Sequence, residues 1–388
     1  DLVEKAYLYY SQLRENNPIH ENSDGSFIVT SYETLVNIYK NHQLWSSDKK
    51  EEFKPKFGNS LLYEHHTTSV VFTDQPDHTR IRKIFQHAFT PRALAHIENN
   101  VEQLVQSYID EMKEKKDIEF VRDFSFRLPV DVVCDILGVP KEDRKLIRDW
   151  ARLILGALEP TLSEEQFKSG CSAVLNFKNY LKDQVNLRKK NPHLNREGEI
   201  ISTLIDAQSS GIELSEVELL HQCIFMLNAG HETSTNMLSH GMCELINNKD
   251  QLDLLRNDEK LISSTIEEIL RYHPPIQVNN RRNKKDTILE NKKIPKGTSV
   301  HMIIAAANRD PKQFNNPDKF IVSRKPNKHL SFGLGIHICA GNTLARIEGR
   351  VAFLKLIRSF KDFNLQAKPK IANRIRFREI EHLNIEVF

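Results

Sequence analysis

Residues 329–350 read HLSFGLGIHICAGNTLARIEGR, from His329 to Arg350, and they contain a single cysteine, Cys339. Phe332, Gly333 and Gly335 precede it, Ala340 and Gly341 follow, and Asn342 to Phe360 reads as a helix. A cysteine just ahead of a helix meets outward-pointing N–H groups and the positive end of the helix dipole, which favour thiolate over thiol. Glycines on both sides let the backbone turn sharply and let a flat partner come close. The loop therefore reads as one that presents a soft metal ligand to something planar.

Competing readings fail on spacing. A phosphate-binding GxGxxG needs glycine at 338, where Ile338 stands. A zinc site wants a second cysteine or histidine at CxxC-like spacing, and none follows. An inert cysteine ahead of a helix is common when it stands alone, but the surrounding pattern is not. An iron porphyrin with an axial thiolate answers to these residues. The pattern FGxGxHxCxG resembles the haem-binding signature of the cytochrome P450 family, matched at Phe332, Gly333, Gly335, His337, Cys339 and Gly341. In that family the cysteine binds iron, and the histidine in the position of His337 bonds a haem propionate.

The chain has 388 residues, 28% charged and 39% hydrophobic, with a net charge of +3, too small to argue for nucleic acid or an acidic substrate. Its length suits about two or three average domains, yet the motifs are spread across most of it, and a single domain over 1–388 is expected. Five cysteines without paired spacing suggest a reducing compartment. No apolar run is long enough to span a bilayer and no signal peptide opens the sequence, so a cytoplasmic protein without a membrane anchor is expected.

In chain order, Leu2 to Arg14 reads as helix, Phe27 to Thr30 as strand, and Ser31 as the cap of a helix through Tyr39. Residues 46–70 are polar without clear period and read as a long loop. In FTDQPDHTRIRKIFQHAFTPRAL, Phe72 to Leu94, His78 and Arg82 are four apart and share one helix face. A solvated basic face would have the same spacing. The run Asp74, Pro76, His78, Arg82, Phe89 and Thr90 resembles the family's C-helix, which implies that His78 and Arg82 bind propionates. Thr90–Pro91 reads as an N-cap followed by proline at the first helical position. Ile136 to Pro140 ends a helix, Lys141 to Leu155 begins another, and 156–190 reads as two helices around a loop. Arg188-Lys189-Lys190 reads as a solvated helix end. In the family this region roofs the substrate pocket.

Ser215 and Glu218 form a capping box, and no proline interrupts the sequence from there to Asn247. At ~1.5 Å per residue such a helix runs roughly 48 Å. It carries Ala229-Gly230-His231-Glu232-Thr233-Ser234, a departure from helix propensity of the kind that marks function or a kink. HExxH would need histidine at 235, where Thr235 stands, and Thr233 bonding back to a carbonyl would merely bend the helix. The tract resembles the family's oxygen-activation motif. That implies a helix widened at Ala229 and Gly230 to admit dioxygen, with Glu232 and Thr233 delivering protons.

Leu261 to Tyr272 reads as a helix stopped by His273-Pro274-Pro275, with Glu268 and Arg271 on one face. EEILRYHPP resembles the family's ExxR segment, in which the pair joins a second arginine before the cysteine loop; Arg324 is the candidate here. Val278 to Pro295 reads as short strands, Lys296-Gly297 as a turn and Val300 to Ala307 as a buried strand. Arg281 or its neighbour Arg282 falls where the family places another propionate ligand, and Asn283-Lys284-Lys285 departs from the usual apolar strand. Asn308, Arg309, Asp310, Pro311, Phe314 and Pro317 read as turn and packing residues, and Cys134, Cys171, Cys223 and Cys243 as core.

The resemblance runs from about residue 5 to 388. It implies a mainly helical fold with a small β region near 20–60 and 276–325, and haem b between the long central helix and the Cys339 loop. It also implies a monomeric monooxygenase that inserts one atom of O2 into a small apolar substrate by hydroxylation or epoxidation. Electrons from NAD(P)H would arrive through a ferredoxin or flavodoxin-type donor and its reductase. Arg82, Lys83, Lys328 and Arg346 are candidate docking residues for that acidic carrier. Two other functions occupy the same ground: a peroxide-driven enzyme on this fold, whose relatives typically lack the acid–threonine pair and which would turn over with H2O2 and ignore reduced ferredoxin, and a gas-binding haem protein that never consumes NAD(P)H, against which the intact pair argues.

Overall fold

Among the described residues, strand pairing gathers segments far apart in sequence into a five-stranded sheet in the order Ile19–Glu21, Phe27–Val29, Ser299–Ile303, Val278–Asn283, Trp45–Ser46. The structure is a computed structural model of the chain, and it describes residues 5–88, 91–115, 117–158, 162–194, 199–202, 205 and 215–388. Phe27–Val29 runs parallel to Ser299–Ile303, with Phe27 opposite Val300, and the other neighbours are antiparallel. Val29, Leu35, Ile38, Trp45, Val300, Met302 and Leu330 share one apolar cluster behind this sheet. The chain clusters into two units, Asp1–Ser46 with Val101–Leu128 and Glu232–Phe388, and Ser47–Asn100 with Pro129–His231.

The first unit holds this sheet, a small sheet of Ile118–Glu119, Asn384–Val387 and Phe363–Leu365, and the helices Ile262–Tyr272 and Asn342–Ser359. The two helices approach so closely that a Cβ on Gly349 would lie 2.9 Å from Ile266 Cδ1. The polar Asn283 at the end of its strand is fully satisfied. It donates to the carbonyls of Lys285 and Ile294, at 2.9 and 3.0 Å, and its Oδ1 accepts from Thr298 N at 2.8 Å. That accounts for an unusual residue at this position without a change of register. The expected buried strand at 300–307 gives way after Ile303 to a helical turn, Ile304–Ala307. Ser31 precedes the helix Tyr32–Lys40 as expected, but its hydroxyl donates to Thr34 Oγ1 at 2.7 Å rather than accepting from the backbone. The first helix is Ala6–Asn16, and the expected start at Leu2 lies outside the described residues.

The second unit is helical among its described residues, and it corrects three expectations. Residues 46–70 are not a loop but contain two helices, Lys50–Phe57 and Leu61–Thr68. Their buried side chains include His65, His66 and Thr67, which a count of apolar residues does not register, and Pro55 lies inside the first helix. Residues 164–190 form one helix, Glu164–Lys190, opened by a Ser163–Gln166 capping box; residues 159–161 lie outside the described residues. Arg188 is buried rather than solvated, because its guanidinium donates to the Gly138 carbonyl at 2.7 Å, just past the end of the helix Arg127–Leu137. Trp150 on the helix Arg144–Gly156 packs on Phe177 and Tyr180, with ring centroids 5.7 and 6.1 Å away. Among the described residues no helix is long and apolar enough to cross a membrane.

Candidate functional site

The Cys339 loop is fixed by its own backbone before any side chain contributes. Gly333 N donates to Leu330 O at 2.8 Å, Ile338 N to Gly335 O at 3.1 Å, and Cys339 N to Phe332 O at 2.9 Å. Gly333 and Gly335 have φ of +65° and +72°, in the left-handed region that glycine enters without steric cost. A Cβ on Gly335 would stand 2.6 Å from the Tyr39 carbonyl oxygen, so no other residue fits there unmoved. His337 closes the short turn Gly335–His337, and Asn342, the first residue of the following helix, donates to the Cys339 carbonyl at 2.7 Å.

Tyr39 joins this loop to the sheet. Its ring lies 3.6 Å from a Cβ placed on Gly333, and the Arg281 guanidinium sits over it at 5.6 Å. Arg281 is buried, whereas Arg282 donates to the Gly297 carbonyl at 2.6 Å. The alternation of the strand thus sends one arginine to the Tyr39 side and commits the other to a turn.

Beneath the loop, Glu268 and Arg271 are fully buried, and Arg324 lies against the same carboxylate. Arg271 makes two bonds of 2.8 Å to Glu268, and Arg324 Nε reaches its oxygens at 3.1 and 3.0 Å. Asn327 and the backbone N–H of Ile321 complete the carboxylate's partners, at 3.1 and 2.9 Å. The arginines spend their remaining donors on the carbonyls of Asn308, Pro317 and Lys319, and of Asn315, Asn316 and Lys319. Buried charge is tolerated only with such saturation. Asn308 then receives Leu330 N at 2.8 Å and donates to Ser331 at 2.9 Å, which carries the anchoring into the cysteine loop. On the same helix, burial pushes the Glu267 carboxyl up, but bonds from His329 and Arg346 outweigh it and hold it at about 2. Arg346, a candidate docking residue, is thus occupied by Glu267 and stacks over Phe332 at 4.5 Å.

The central helix Glu216–Asn247 starts at the expected capping box, with Ser215 and Glu218 bonded reciprocally at 2.9 and 3.1 Å. It is α-helical through Ala229 and Gly230, without the widened turn the resemblance implied. Gly230 has a packing reason instead: a Cβ there would meet Val133 Cγ2 at 2.8 Å. Between 225 and 233 the helix has one open face. Phe225, Met226, Gly230, Glu232 and Thr233 are half-buried and Ala229 exposed, while Leu227, Asn228 and His231 are buried. Glu232 is held by Arg374, a residue outside the motifs read from the sequence. His78 is buried and Arg82 half-buried on the helix Asp77–Ala88. Phe89 and Thr90 lie outside the described residues, and Pro91 opens the next helix, Pro91–Lys113. His78, Arg82, Ala229 and Gly230 belong to the second unit and the other site residues to the first.

Among the described residues no group of three or more His, Cys, Asp or Glu could hold a metal. A single cysteine in a glycine-punctuated loop suits a metal that brings most of its ligands with it, as porphyrin iron does. Two positions after Cys339, a Cβ on Gly341 would meet nothing within 4 Å, so that side of the loop backbone is open. These residues fit a haem. Cys134, Cys223 and Cys243 are buried, and burial pushes each thiol up to about 12, which suits inert core positions.

A family model described as Cytochrome P450 matches residues 20–377. Biotin biosynthesis cytochrome P450 of Bacillus subtilis is 33% identical over 371 residues, covering 94% of this chain and 91% of the relative. Cytochrome P450 CYP107DY1 of Priestia megaterium is 31% identical, covering 93% and 89%. The crystal structure of P450BioI in complex with hexadec-9Z-enoic acid ligated acyl carrier protein superposes with a TM-score of 0.92 at 32% identity, covering 99% of both chains.

Proposed function

Because the chain belongs to the cytochrome P450 family, oxidoreductases that carry haem b on a cysteine thiolate, we propose that Cys339 is the thiolate ligand and that the protein oxygenates a small apolar substrate. Bound haem supplies dioxygen activation and transfer of one oxygen atom to the substrate. The observation that carries the reading is the Cys339 loop, locked by its own hydrogen bonds and tied through Asn308 to the saturated Glu268 cluster. A ligand that must stay in place while charge changes beside it needs such rigid support.

Arg281, His337, His78 and Arg82 pair with the haem carboxylates. Burial of Arg281 on Tyr39, against the commitment of Arg282 to Gly297, supports Arg281 for this role. Phe332 and Gly341 shape the loop around the thiolate. Ala229 and Gly230 keep the open helix face low, and the apolar Phe225 and Met226 beside them support an apolar substrate. Thr233 and Glu232 pass protons along that face, the hydroxyl orienting water and the carboxyl taking protons up and releasing them. Electrons come from NAD(P)H through a ferredoxin or flavodoxin-type donor, docked by basic side chains that include the exposed Lys83 and Lys328.

The purified protein tests this directly. It should show a Soret band and a ferrous carbonyl spectrum typical of thiolate ligation, both altered in Cys339→Ser; an unaltered carbonyl spectrum in that variant rejects the assignment. Spectral titration with fatty acids, steroids and macrolides then sorts the substrate class. Fatty acids come first, because a structure 32% identical holds a hexadecenoyl carrier protein.

A further inference from the structure

Three side chains at one-turn intervals along the central helix grip a single loop near the C-terminus. Asn236 donates to the Phe377 carbonyl at 3.1 Å, His240 donates to the Arg378 carbonyl at 2.9 Å, and Glu232, one turn before Asn236, pairs with Arg374. The i, i+4, i+8 spacing puts all three on one helix face. The first two contacts are neutral and fixed: an amide, and an imidazole that burial holds well below its ordinary value. The third joins two charges. The loop itself lies between the paired strands Lys370–Ile371 and Ile380–His382 and is braced by Ala372 N to Glu379 O at 2.8 Å and Arg374 N to Ala372 O at 2.8 Å. The Arg374 guanidinium stacks over Phe377 at 4.8 Å and also donates to Glu379 at 3.0 Å.

One guanidinium therefore serves two carboxylates, one on the central helix and one on its own loop. We propose that Arg374 is a positioning residue: anchored on Glu379 of its own loop, it fixes the Glu232 carboxylate for proton delivery. A protonated carboxyl attracts the guanidinium less, while Glu379, already bonded to the same nitrogen, keeps Arg374 in place for the carboxylate that re-forms. The proton stays on Glu232 until it is passed on. The inference rests on the role proposed above for Glu232.

The test uses the holoenzyme with carbon monoxide as the probe, recording the C–O stretching band of the ferrous complex. In Arg374→Gln the band should shift or split as the carboxylate loses its fixed place, and Arg374→Lys should restore it. In a Glu232→Gln background, Arg374→Gln should move the band no further. Glu379→Gln removes the carboxylate that competes with Glu232 for Arg374 and should narrow the band, which provides a second route if Arg374→Gln folds poorly. A double-mutant cycle on urea unfolding should show Arg374 and Glu232 coupled by about tenfold in the folded-to-unfolded ratio. A band that moves in Glu232→Gln but not in Arg374→Gln overturns the positioning role. A shift that persists when Glu232 is already glutamine overturns it equally. A band unmoved by Glu232→Gln shows instead that Glu232 does not serve this site, and removes the reading beneath the inference.

Discussion

Glu348 makes stability depend on pH in a direction opposite to most carboxylates. It sits on the helix after the cysteine loop, buried, and burial pushes its carboxyl up to about 8, with Ser234 acting in the other direction. Its proton is therefore kept at neutral pH in the folded chain and lost in the unfolded one. A group raised in the folded state contributes stability that is fully present below its unfolded value and is lost as pH rises through its folded value. From the ordinary 4.5 to pH 7 the interval is roughly 2.5 units, or roughly 3 kcal/mol at ~1.36 kcal/mol per unit. Glu348→Gln keeps the shape and carries no proton to lose. The variant should match the parent near pH 4.5 and exceed it by roughly 3 kcal/mol at pH 7, with the gap levelling off above pH ~8. Urea unfolding of both proteins at half-unit pH steps, followed by circular dichroism, measures the gap. Parallel stability curves across that window would refute the reasoning, because they would mean that Glu348 folds already ionised.

Glu268→Ala should cost about 3–5 kcal/mol in urea unfolding, since it strands two buried guanidiniums on one site, and a cost like that of a surface substitution refutes this. Glu267 has the opposite sign to Glu348. Held at about 2 by His329 and Arg346 against burial, it should stabilise the fold above pH ~4.5 by about 1–2 kcal/mol after screening, a contribution that fades toward pH 2. Comparing Glu267→Gln with the parent at pH 7 and pH 3.5 reads that loss. Gly335→Ala should lower stability by about 2–3 kcal/mol, through strain at φ +72° and collision with the Tyr39 carbonyl. Gly58→Ala, with φ +59° and nothing near its Cβ, should cost less. Arg281→Lys should speed haem loss to apomyoglobin, while Arg282→Lys should leave the rate near that of the parent; equal rates would refute the choice between them.

The expected helices with strong end signals match the structure closely: the Ser215 capping box opens the central helix and the Pro274-Pro275 step closes the Ile262–Tyr272 helix. The misreadings share a cause. At 61–68 the buried residues include histidines and a threonine, so the segment hides its inner face from any count of apolar side chains. At 164–190 a glycine stands inside the helix, and the reason for Gly170 lies outside the segment: a Cβ there would stand 3.0 Å from Leu62. Arg188 reads as a surface charge because its partner, the Gly138 carbonyl, lies fifty positions away.

The sequence by itself determined the family, and it singled out Cys339, Glu232 and Thr233 as the residues to which the proposed roles attach, because such motifs depend on residue type at short fixed spacing. Only the tertiary structure decided which arginine, 281 or 282, turns toward Tyr39, and that Glu232 answers to Arg374, a residue 142 positions later. Local chemistry is written in neighbouring letters. A hydrogen bond across the fold depends on where the backbone carries two distant side chains, and no short stretch records that.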